Sequence, residues 1–166
     1  MTPVRIIGVG SDRAGDSAGW QALARLQQGG FAARFESGLV SLQTCRFPAQ
    51  LMQLLDGCRL ALLVDAVQAE PGVLLNLNTN DLVACKSLHS THGIGVGEAL
   101  QLVERLSERP PAFRVLGIGV GNRKTACTDA QIHALIPALI ERLDTEIKQH
   151  LDSADKTLPQ TGSGCQ

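Results

Sequence analysis

The stretch RLALLVDAV, residues 59–67, carries the strongest strand signal in the chain. It is nearly continuous in apolar residues, the pattern of a strand covered on both faces. Upstream, Val4 to Val9 forms a short β-rich run closed by Gly8 and Gly10. Between the two, SAGWQALARLQQ (17–28) has Trp20, Leu23, Ala24 and Leu26 at helical spacings and stops at Gly29-Gly30. Phe31 to Phe35 reads as a weaker strand, and PAQLMQLL (48–55) as a helix opened by proline and ended at Gly57.

Downstream, Val73 to Leu77 reads as a strand after the turn signal Glu70-Pro71-Gly72. GVGEALQLVERL (95–106) is amphipathic, with Val96, Ala99, Leu100, Val103 and Leu106 on one face. Phe113 to Val120 is the last strand. Asp129 to Leu151 is a long helix, with Asp129 or Thr128 as its N-cap and a local bend expected at Pro137. This alternation predicts an α/β fold: a three-layer α/β/α sandwich around a mostly parallel, twisted sheet of about five strands. One domain over residues 1–152 is expected, with residues 153–166 a disordered polar tail.

Composition narrows the function. A net charge of −1 and an aromatic content of 3% offer neither a basic face for nucleic acid or anionic membranes nor a base-stacking platform. Five cysteines without C-x-x-C spacing predict reduced thiols and argue against a zinc ribbon. No apolar run approaches a membrane span, and the N-terminal stretch turns polar too soon for a signal peptide, so a cytoplasmic protein is expected. LPQTG (158–162) matches a wall-sorting motif but lacks the hydrophobic segment and basic tail such a signal requires.

In open α/β sheets, sites form where loops leave the carboxyl ends of strands. Three such exits carry chemistry here. The first strand opens into GVGSDRAGDSAG (8–19), which holds Asp12 and Asp16; the central strand ends in Val64-Asp65-Ala66; and KSLHSTHGIG (86–95) holds His89 and His92. Carboxylates and an imidazole at one rim point to a divalent cation. Each residue has a plainer reading as well. Asp65 can cap a turn, Asp16 or Ser17 can be a helix N-cap, and His89 and His92 can bond to loop backbone.

A phosphate loop fits poorly: Gly8-x-Gly10-x-x-x-x-Gly15 is not G-x-G-x-x-G, and there is no Walker lysine. Neither an H-E-x-x-H helix nor a G-x-S-x-G elbow occurs. Cys85 lies near both histidines in sequence, but nothing there marks an activated nucleophile.

Taken together, the blocks resemble the hydrogenase maturation endopeptidases, proteases that trim the C-terminal extension of nickel–iron hydrogenase large subunits. The resemblance spans about residue 4 to residue 150. GVGSDRAGDSAG resembles that family's opening G-x-G-N loop with its acidic pair, and LLVDAVQAEPGVLL (62–75) its D-A…P-G block. STHGIGVGEALQL (90–102) resembles the S-x-H-x-x-G-L…L block, and GIGV (117–120) the last-strand segment.

The resemblance implies a metal-dependent, nickel-recognising endopeptidase whose catalytic and metal-binding residues are Asp16, Asp65 and His92, rather than His89. It implies nickel presented by the substrate, the hydrogenase large-subunit precursor, with another divalent cation able to take its place in a crystal. No nucleic acid, no membrane and a monomeric state are expected. The first loop departs from the family's pattern: Ser17 stands where the second, ligating acid is expected, and Ser11 where the asparagine is. Asp16 can compensate if the loop turns it inward, and Asp12 is a second possibility. The departure keeps open a non-catalytic assembly factor of the same fold that binds the precursor or its nickel. A nucleotide-binding α/β module is a third reading.

Overall fold

A computed structural model describes residues 4–13, 15–84, 95–122 and 127–155. Its strands are β1 (Val4–Val9), β2 (Val40–Cys45), β3 (Leu60–Val67), β4 (Leu74–Leu77) and β5 (Ala112–Gly119). Its helices are α1 (Ala18–Gln28), α2 (Leu51–Leu55), α3 (Thr79–Ala84), α4 (Val96–Leu106) and α5 (Asp129–Asp155). The five strands form one sheet in the order β2-β1-β3-β5-β4. Only β4 runs antiparallel, against β5, so the sheet is mostly parallel as expected.

The apolar run of β3 serves two cores, because successive side chains of a strand point to opposite faces. Leu60, Leu62 and Val64 join Ile6, Leu23, Leu26, Leu116, Ile118, Leu139 and Leu143 under α1 and α5. Ala61 and Leu63 join Ile7, Leu51, Leu55, Leu100, Val103 and Val115 under α2 and α4. The same alternation directs Asp65 to the α2/α4 face, just past the last core residue on that side.

The α5 stripe of Ile132, Leu135, Leu139, Leu143 and Ile147 repeats every three or four residues and is wholly buried. Thr128, not Asp129, caps this helix. Gln131 N donates to Thr128 Oγ1 at 3.2 Å, and Thr128 N donates to Gln131 Oε1 at 2.8 Å, a reciprocal capping box. The helix continues through Pro137 and reaches Asp155, past the expected end at Leu151 and past the expected tail boundary at 153.

One expected strand is absent. Phe31–Arg34 is a short 3-10 turn, entered from Gly30 at a φ of 65°. Phe31 is buried there against Phe35, with ring centroids 5.4 Å apart, so these aromatics plug the core below α1 rather than lining a sheet. The second strand lies later, at Val40–Cys45, on an edge of the sheet where Ser41, Gln43 and Thr44 keep some exposure. The expected helix from Pro48 begins as a 3-10 turn and becomes α2.

Candidate active site at the carboxyl rim of the sheet

From β1 the chain order steps to β2 on one side and to β3 on the other, so the crevice between their carboxyl ends is the topological switch point. Gly8 pairs with Val64, which leaves Val9 and the loop beyond it beside Asp65. The loop's glycines are there for contact, not for phosphate. A Cβ on Gly19 would lie 2.3 Å from both the Val9 and Val64 carbonyl oxygens, so the first turn of α1 rests directly on β1 and β3. A Cβ on Gly10 would lie 2.4 Å from the Asp16 carbonyl oxygen, where the loop folds back on itself.

Backbone bonds fix that fold. Ser11 N donates to the Asp16 carbonyl at 3.1 Å, and Asp16 N donates to the Arg13 carbonyl at 3.0 Å. The Ser11 hydroxyl donates to Asp16 Oδ2, while Arg13 N donates to Ser11 Oγ at 3.3 Å. The Asp65 carboxyl is pushed up to about 7, first by burial and then by the Asp16 carboxylate, against the opposing pull of the Ala66 amide. That amide donates to Asp65 Oδ1 at 2.8 Å.

The other acidic and hydroxyl candidates of the loop point elsewhere. The Asp12 side chain is 80% exposed and meets Arg46 at 3.8 Å. Ser17 occupies the N-cap position of α1 without capping it; its hydroxyl accepts from Gln21 Nε2 at 2.8 Å. Asp16 does not cap α1 either. His89, His92 and Cys85 lie outside the described residues. Among the described residues no three His, Cys, Asp or Glu side chains converge as a metal-holding group; what the rim holds is Asp65, with the Asp16 charge near enough to act on it.

Two neighbours of this pair carried no signal in the sequence. Cys45, fully buried at the end of β2, feels the Asp65 charge; burial, and secondarily that charge, push its thiol up to about 11 despite the bond from Sγ to the Phe47 carbonyl. A thiol so held is protonated at neutral pH and is no nucleophile. Trp20 ties α1 to the same strand end, its Nε1 donating to the Cys45 carbonyl at 3.1 Å. The Arg46 guanidinium lies 5.1 Å from the Trp20 ring centroid, a cation–π contact. Finding either required knowing that β2 ends at Cys45.

The five-stranded, mostly parallel sheet with helices on both faces is an α/β fold like that of solved hydrogenase maturation proteases. The chain is similar in structure to the hydrogenase maturating endopeptidase HybD from E. coli, with a TM-score of 0.66 at 16% identity, over 90% of this chain and 93% of that one. It is also similar to the [NiFe] hydrogenase maturation protease HycI from Thermococcus kodakarensis KOD1, with a TM-score of 0.57 at 18% identity, over 86% of this chain and 93% of that one. A solution structure of an endopeptidase from Escherichia coli gives 0.62 at 17% identity, over 86% and 90% of the two chains. No family model and no curated protein matches the sequence. At such identities the likeness is one of fold. No described helix is long and apolar enough to cross a membrane.

Proposed function

We propose that the protein is an endopeptidase that removes the C-terminal extension of a nickel–iron hydrogenase large-subunit precursor, recognising the nickel already inserted in it. The observation that carries this reading is the Asp16–Asp65 pair at the switch point of a fold shared with maturation proteases. Two carboxylates in a partly buried site repel each other, and a divalent cation relieves that repulsion. Carboxylate and imidazole donors suit nickel, and a set completed by His92 leaves coordination positions for substrate groups. The cation brought by the substrate supplies Lewis acidity toward the scissile carbonyl or a bound water. This chain supplies the two carboxylates and the rigid rim that places them.

The test uses a nickel-loaded precursor and mass spectrometry. Wild-type protein is expected to release a C-terminal peptide, whereas Asp65→Asn and His92→Ala release none within the same time. Normal cutting by both variants would overturn the site assignment. Ser17 motivates the alternative of a non-catalytic assembly factor, because its hydroxyl is engaged by Gln21 and it brings no charge. That alternative is favoured if wild-type protein binds the precursor and leaves its mass unchanged.

A further inference from the structure

We infer that Ser11 is a positioning residue: its hydroxyl fixes the Asp16 carboxylate in the loop packed beside the ends of β1 and β3, so that Asp16 serves as the first-loop ligand although residue 17 carries no acid. The inference rests on the proposed role of the Asp16–Asp65 pair as a cation site.

A serine hydroxyl has one proton to give and lone pairs to receive. Here the Arg13 amide fills an acceptor place on Ser11 Oγ, at 3.3 Å, and the proton goes to Asp16 Oδ2. Among the described residues Asp16 Oδ1 takes no hydrogen bond, so one oxygen is pinned and the other is left for a ligand. The bonds from Ser11 N to the Asp16 carbonyl and from Asp16 N to the Arg13 carbonyl fix the backbone on either side. Gly10 permits this closure, since any Cβ there would strike the Asp16 carbonyl. Ser17 shows no bond to Asp16 among the described residues; its hydroxyl accepts from Gln21 along the helix.

Ligating carboxylates are themselves commonly held by outer hydrogen bonds, and losing such a partner lowers metal affinity about 10- to 100-fold. The departures at positions 11 and 17 then belong together: a short hydroxyl at 11 turns the acid at 16 inward, and the acid at 17 is dispensable.

The experiment titrates nickel(II) alone into the intact wild-type, Ser11→Ala, Ser11→Thr and Ser17→Ala proteins by calorimetry, with thermal melting as the check on folding. Ser11→Ala is expected to bind about tenfold more weakly. Ser11→Thr, which keeps the hydroxyl, and Ser17→Ala are expected to stay within about threefold of wild type, given the scale of that same outer-bond effect. Unchanged affinity in Ser11→Ala, or an equal loss in Ser17→Ala, overturns the inference. If wild-type protein holds no nickel, the cation reading of the pair fails, and crystal structures of wild type and Ser11→Ala decide the Ser11 role separately. An Asp16 side chain that leaves its position on loss of the hydroxyl supports it; one that stays overturns it.

Discussion

Asp65 sets a conflict between stability and chemistry. Its folded pKa of about 7 lies above the ordinary value of 3.8, so between those limits the folded chain binds more protons than the unfolded chain. The contribution of Asp65 to the stability of the metal-free protein is therefore full below about pH 4 and is lost as pH rises through about 7. Asp65→Asn removes the charge and keeps an oxygen for the Ala66 amide. It is expected to raise the melting temperature at pH 8 by about 4–8 °C, corresponding to roughly 2 kcal/mol, and to flatten the profile between pH 5 and 8 in a melting series. Nickel binding should follow the opposite course, tightening as pH rises through about 7 with release of a proton, which calorimetry in buffers of different ionisation enthalpy reads directly. The carboxylate at the strand end was legible in the sequence from its place after an apolar run. Its coupling to Asp16 was not, because loop bonds among Ser11, Arg13 and Asp16, one of them from a serine hydroxyl, decide where that second charge lies.

Helix α1 meets the sheet through glycine, and the contact is tighter than any side chain allows. Gly19→Ala places a methyl group 2.3 Å from two carbonyl oxygens, so α1 must lift from β1 and β3. A loss of about 3 kcal/mol or more in denaturant unfolding is expected, at the upper end of overpacking costs. At the start of α5, Thr128→Ala removes half of the capping box and is expected to cost about 1 kcal/mol by the same measurement. The well-patterned elements could be read directly: β3 from its unbroken apolar run, and α4 and α5 from their buried stripes. β2 could not, since VSLQTC alternates weakly and its Ser41, Gln43 and Thr44 keep exposure at the sheet edge. The aromatic run after Gly30 misleads for the complementary reason. Phe31 has strand-like chemistry, but a left-handed glycine turns the chain and the ring is spent as a core plug.

For the molecule as a whole, β3 is the axis: it pairs with β1 along one side and β5 along the other, and its side chains enter both cores. Amide exchange should therefore be slowest in β1, β3 and β5, and faster in β4, a four-residue edge strand. Comparable protection in β4, measured by mass spectrometry, would contradict that ordering. The chain contains one tryptophan and no tyrosine, so Trp20 dominates its near-ultraviolet emission. Because Trp20 hydrogen-bonds the end of β2 and lies under Arg46, beside the loop that holds Asp16, the protein carries an intrinsic optical sensor of its own rim. A paramagnetic ion seated between the carboxylates should dim that fluorescence, giving a label-free signal for every variant discussed above.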